Sequence, residues 1–228
     1  MEVILNNGFK QKKVSLKEGN LTSIQSKDIK NILKNLVNDY NFIDINTKDL
    51  YFIGTTVYDE LEKYCDMVDF SLVEDILEVL DLGEDFLEKK INNLSFSETV
   101  FLNIVRNLII SNKYVIFNDI LSYFDMINQK RMIRLFEFLK EHKYLLIISS
   151  KDVNLLYKVA DYSIVWNKKF FEIDTTDNIY TNVAMLLDNK LSVPVLSLIT
   201  YRAKVEKNVK LFYSKDVRDI IKDIYKHV

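Results

Sequence analysis

Residues 92–125, NNLSFSETVFLNIVRNLIISNKYVIFNDILSYFD, decide the fold. They open on the small-residue turn Leu94-Ser95-Phe96-Ser97-Glu98. Val100, Phe101, Ile104, Val105, Leu108 and Ile109 then recur at helical spacing, all on one face. An apolar run from Tyr114 to Phe117 follows and stops at Asn118-Asp119. A one-faced helix feeding a short apolar run is one αβ unit of a parallel sheet.

Downstream, residues 128–141 predict a helix with Met132, Leu135, Phe136 and Leu139 inward. Tyr144 to Ile148 is apolar throughout, as a strand covered on both faces must be. Residues 151–160 predict another helix, and residues 162–166 with 170–173 a closing hairpin. Strands alternating with helices give a right-handed parallel α/β sheet. From Thr175 the composition turns helical, with helices expected over 177–190, 194–204 and 214–227. Pro194 opens the second and Ser214 caps the third.

Upstream, Val3 and Leu5 alternate, as do Val14 and Leu16, on either side of the basic turn Lys10 to Lys13. That predicts two antiparallel strands. Leu21 to Ile24 reads as a strand. Residues 26–38 read as a helix capped by Ser26, with Ile29, Ile32, Leu33 and Leu36 buried. Residues 42–45 and 51–53 predict two more strands. Thr56 caps a helix reaching Cys65, and Ser71 caps one over 72–80 that stops at Leu82-Gly83. The run of short helices reads as a helical subdomain, about residues 55–110, set into an α/β body of residues 1–174. Residues 175–228 form a C-terminal helical appendage.

Composition narrows the function classes. The 31 basic and 33 acidic residues nearly cancel, so there is no global field to gather nucleic acid. The single cysteine, Cys65, forms no internal disulfide and suits a reducing compartment as a buried thiol. No leader-like N-terminus is seen, and no apolar run nears the roughly 20 residues that span a bilayer. Any membrane role is therefore expected to be peripheral. The chain has only four glycines, all far apart, and one proline. A loop that cradles phosphate needs glycines close together, so that backbone N–H groups can approach the anion.

In their order these pieces resemble the ATP-binding cassette (ABC) ATPases. LSFSETVFLNIVRNL resembles the LSGGQ signature and its helix, including the arginine, here Arg106. YVIFNDILSYFD is similar to the Walker B strand, its acidic pair and the D-loop ending in Asp125. LLIISSKD looks like the strand before the switch histidine, and KVADYSIVW like the segment after it. EGNLTSI resembles the strand entering the Walker A loop. A narrower resemblance, to the ATPase subunits of energy-coupling-factor (ECF) transporters, rests on TTVYDEL, on NKKFFEIDTTDNIYT and on the C-terminal segment containing Pro194.

The resemblance implies a P-loop NTPase-like α/β core with an antiparallel N-terminal β part, an inserted helical subdomain and a small C-terminal helical domain. It also implies ATP and Mg²⁺ as cofactors, held between two cassettes by the elements common to phosphoryl transfer. Its partners would be a second ABC ATPase subunit, as homodimer or heterodimer, and a transmembrane transporter subunit. The place would be cytoplasmic, peripheral at the inner face of the cell membrane.

Position by position, the phosphate grip departs from the family. IQSKDIKNIL stands for Walker A without a glycine; Lys30 takes the lysine position and Asn31 that of the Mg²⁺-binding hydroxyl. Asn118 replaces the Walker B aspartate, the metal position. Asp119, the catalytic position, shortens the following glutamate by a methylene, and a shift of about 1 Å can cost on the order of 100-fold in rate. Lys151 takes the switch-histidine position, and the Q-loop glutamine has no counterpart before Thr55. Ser95 is kept, Phe96 and Ser97 replace the glycine pair, and Glu98 is an accepted variant. The expectation is a degenerate cassette, impaired in hydrolysis, that serves as structural and coupling partner of an intact one. The alternatives are an active divergent ABC ATPase and a non-transport scaffold or regulator that reuses the fold.

Overall fold

The computed structural model describes residues 1–65, 70–83 and 85–226. The Cys65 side chain and His227 fall outside them, and with these the expected buried thiol and the end of the last helix. The elements run β1 (Glu2–Asn6), β2 (Gln11–Ser15), β3 (Asn20–Ser26), α1 (Ile29–Tyr40), β4 (Ile43–Ile45), α2 (Val57–Cys65), α3 (Phe70–Val79) and α4 (Asp85–Glu88). Then come α5 (Phe96–Ile109), β5 (Tyr114–Asn118), α6 (Met126–Glu141), β6 (Leu145–Ser149), α7 (Val153–Val159), β7 (Tyr162–Trp166) and β8 (Phe171–Thr175). The chain continues through α8 (Thr176–Thr181), α9 (Val183–Asp188), α10 (Val195–Lys207) and α11 (Val217–Ile224).

β1 and β2 form an antiparallel hairpin. The main sheet has the order β4-β5-β6-β3-β7-β8, parallel except for the antiparallel β7–β8 edge pair. Alternate residues of the central strands feed two cores. Leu21, Val115, Phe117, Leu146 and Ile148 face one core with α5 and α6. Ile24, Ile116, Leu145, Ile147 and Ile164 face the other with α1 and the hairpin. That two-sided burial is why β6 is apolar at every position but its last. Parallel pairing points β3, β4, β5 and β6 the same way, so their carboxyl ends meet on one side of the sheet.

Several expected boundaries move, each because a side chain found another partner. Residues 51–53 form no strand. The Ile53 and Gly54 N–H groups donate instead to Oε2 of Glu60, at 2.9 and 2.8 Å. Glu60 is fully buried, and its other oxygen meets Arg106 of α5 at 3.2 Å. Burial works to raise the Glu60 pKa, but these N–H donors and Arg106 prevail and lower it. Arg106 also donates to the Tyr51 carbonyl at 2.7 Å and lies over the Phe52 ring. The clamp thus gives this coil the backbone partners a strand would have supplied.

Ser26 does not cap α1. The helix starts two residues later, and the Ser26 hydroxyl accepts from Asp28 N–H at 3.1 Å in a local turn. Ser71 lies within α3, which opens at Phe70. The single helix expected over 177–190 breaks at Asn182, whose side chain caps α9 through Met185 N–H. Asp216, and not Ser214, caps α11. Pro194 is the residue before α10 rather than its first turn.

Candidate functional site

Open α/β sheets bind ligands at the carboxyl ends of their strands. Here those ends border a cleft of about 930 Å³. Its walls are the β3–α1 turn with Lys30, the end of β4 with Asp44 and Asn46, Asn118-Asp119 after β5, and Ser149 to Lys151 after β6. Six lysines line it (Lys27, Lys30, Lys34, Lys48, Lys151 and Lys190) against two carboxylates, Asp44 and Asp119. That excess of positive charge suits an anion.

The connection from β3 to α1 is two residues, Lys27 and Asp28. α1 has no side-chain cap. Lys30 stands exposed at the cleft. Asn31 lies outside the cleft lining. Its Nδ2 donates to the Asn7 carbonyl at 3.2 Å, so it serves the hairpin.

Asn118 and Asp119 reach the cleft already tied to their own chain. Asn118 Nδ2 donates to Asp44 Oδ2 at 3.3 Å, and its Oδ1 accepts from Ser149 Oγ at 3.0 Å. Asp119 adopts the left-handed backbone conformation, φ 57°, uncommon for a residue with a Cβ. Its Oδ1 accepts from Ser122 Oγ at 2.6 Å, from Ser150 Oγ at 3.3 Å and from Lys151 N–H at 3.4 Å. One oxygen thus gathers donors from two loops and pins them together.

Ser95, Glu98 and Asp125 are not part of this cleft lining. Ser95 and Glu98 make a reciprocal capping box at the start of α5. The Lys89 ammonium, helped by the Ser95 N–H and hydroxyl, holds the Glu98 carboxyl down to about 2, although burial works to raise it. Asp125 caps α6 by accepting from Asn128 N–H at 2.8 Å. Phe96, half exposed, lies 6.0 Å centroid to centroid from Tyr123, which borders the cleft.

Two cleft residues escaped the sequence reading. Asp44 sits between Ile43 and Ile45 in a short strand. Burial raises its pKa, the Asn118 amide opposes this, and its Oδ1 is buried without a hydrogen-bond partner. A carboxylate between two isoleucines was the available signal. Asn46 follows directly and puts an amide at the cleft; its carbonyl accepts from Asn103 of α5 at 3.0 Å.

The fold defined by this sheet, hairpin and helical covering is that of the ABC ATPase cassette. CbiO1 from Clostridium perfringens, part of the ABC transporter complex cbiONQ, superposes with a TM-score of 0.62 at 13% identity, covering 88% of this chain and 96% of its own. An ATP-binding subunit of an ABC transporter gives 0.65 at 12% identity, over 82% and 96%. MJ0796, a bacterial ABC transporter cassette solved as a dimer, gives 0.58 at 14%, over 74% and 90%. No protein-family model and no curated protein sequence matches the chain. Among the described residues no helix is long and apolar enough to cross a membrane.

Proposed function

We propose that this chain is the degenerate cassette of an ABC-type importer complex, of the energy-coupling-factor kind. It pairs with an intact cassette, docks on a transmembrane subunit at the inner face of the membrane, and passes on motion driven by ATP at another site. The observation that carries the reading is the two-residue turn between β3 and α1. A loop around a triphosphate needs several converging N–H groups and close backbone approach. Two residues, Lys27 and Asp28, provide neither the length nor the glycines. The metal side is equally poor. An amide, Asn118, stands in the aspartate position and is already bonded to Asp44 and Ser149. Asp119 uses one oxygen, Oδ1, for three internal donors that fix its carboxylate to the Ser122 and Ser150 loops, and it is a methylene shorter than the glutamate of that position. The residues present therefore do not fit Mg²⁺-ATP, and no catalytic step is assigned to them.

Exposed apolar residues support the partners. Phe96 and Tyr123 lie in the signature-like and D-loop-like segments, and Met126 and Ile127 directly after the latter, where a second cassette would pack. Tyr51, Ile53 and Tyr58 are exposed beside the Glu60–Arg106 clamp, close to the 55–61 stretch, and would meet the membrane subunit. The dimeric MJ0796 and the cbiONQ complex lend analogy to both contacts. Affinity purification of the tagged chain from its native cells tests this. Recovery of an intact cassette together with a polytopic membrane protein is expected; recovery of a partner-free monomer would contradict the reading.

The convergence of Lys30, Asp119 and Lys151 on one cleft favours a second reading, an active divergent ATPase. That reading requires Mg²⁺-dependent turnover by the purified chain, lost in Lys30→Ala and Asp119→Asn.

A further inference from the structure

Away from the cleft, two turns built on the same plan stand side by side. At the tip of the β1–β2 hairpin, Asn7 is buried and its Oδ1 accepts from Phe9 N–H at 3.0 Å and Lys10 N–H at 2.9 Å. Gly8 turns the chain there at φ 89°. In the β7–β8 turn, Asn167 Oδ1 accepts from Lys169 and Phe170 N–H, both at 2.8 Å. Each asparagine fixes its turn from inside, so the tip residues are pushed outward in a set arrangement. The turns are joined by cations on rings. Lys168 Nζ lies 5.1 Å from the Phe9 ring centroid, and Lys12 Nζ 5.5 Å from that of Phe171. A hollow of about 250 Å³ lies among them, and its charged lining residues are all lysines: Lys10, Lys12, Lys168 and Lys169.

Phe9 is 68% exposed. A single exposed phenylalanine is ordinary in a soluble protein. One held rigidly at a hairpin tip, beside four lysines and no acidic lining residue, has the chemistry of a surface that meets apolar and anionic groups together. We propose that the paired tips dock this chain on an anionic lipid surface, Phe9 entering the headgroup layer while the four lysines face lipid phosphates. Single-stranded nucleic acid fits less well. Bases need open ring faces for stacking, and a lysine already lies over one face each of Phe9 and Phe171. With a net charge of −2 the chain has no global attraction for an anionic surface, so binding must come from a local patch such as this one. The inference does not depend on what the cleft does.

Cosedimentation of the full chain with vesicles tests it. Binding is expected to phosphatidylcholine vesicles containing roughly a third phosphatidylglycerol, to be absent with phosphatidylcholine alone, and to be released by high salt. At about fivefold per lysine near such a surface, Lys168→Gln with Lys169→Gln lowers the partition coefficient about 30-fold. Phe9→Ser weakens binding without changing its salt dependence. All three side chains are exposed, so unchanged melting curves show that the variants fold. No binding, equal binding to both kinds of vesicle, or undiminished binding by the variants overturns the proposal. Tighter binding of a short single-stranded oligonucleotide at these residues overturns it too, and assigns the patch to nucleic acid.

Discussion

The starts of α1 and α5 make an instructive pair. By the resemblance to ABC cassettes, both helices begin where phosphate would be faced, α1 at the Walker A position and α5 at the signature. α5 begins with a complete capping box, Ser95 and Glu98 each satisfying a backbone donor of the other. α1 begins without a side-chain cap, after a two-residue turn. The difference is in where each residue's partner lies. Ser95 and Glu98 work for their own helix. Asp161 likewise accepts from Leu21 N–H at 2.8 Å and tethers the start of β3, and Asp125 caps α6. These residues match the pattern of the cassettes that the sequence resembles. On the proposed reading, the positions whose partner would be a nucleotide or metal have drifted: the residues there have internal partners (Asn31, Asn118, Asp119) or stand exposed at the cleft (Lys30, Lys151). The skeleton has been kept where it holds itself together.

That contrast can be broken by measuring stability at both kinds of position. Glu60→Ala should have the largest effect. It strips the Arg106 guanidinium and two backbone N–H groups of a fully buried acceptor, a loss of about 3–5 kcal/mol in urea unfolding. Ser95→Ala should cost about 1 kcal/mol through the lost cap. A value near zero there would remove one side of the comparison.

Acid titration sharpens it further. In the folded chain the Glu98 carboxyl sits at about 2, below its ordinary 4.5. A depressed carboxyl contributes stability fully above about 4.5 and loses it as pH falls toward 2. Glu98→Gln should therefore flatten the pH dependence of unfolding in that window and leave it unchanged near neutrality. The smallest effect is expected at the cleft. Lys30→Ala and Lys151→Ala, both exposed, should each change stability by less than about 0.5 kcal/mol.

Much of the sheet was legible in the sequence, because a strand buried on both faces is an unbroken apolar run and Tyr144 to Ile148 is one. The helix after Ser95 was legible as well, since periodicity and cap agree there. Residues 51–53 misled because the Ile53 N–H goes to a side chain, Glu60, seven residues on, and the Tyr51 carbonyl to Arg106, which local alternation cannot reveal. Ser26 and Ser214 misled because a serine that bonds two residues ahead looks, in sequence, like a helix cap. Asp44 was missed for a different reason. It becomes a neighbour of Asn118 only through the parallel pairing of β4 with β5, which puts Asp44 opposite Ile116. The lysine-rich cleft was likewise out of reach, because Lys48 and Lys190 come to it from distant parts of the chain.

The most direct measurement is ATP turnover by the purified chain alone, in excess Mg²⁺, beside two single variants, Lys30→Ala and Asp119→Asn. The account predicts no turnover above background and no difference among the three proteins. Steady Mg²⁺-dependent hydrolysis by the unaltered chain, abolished by either substitution, would contradict it.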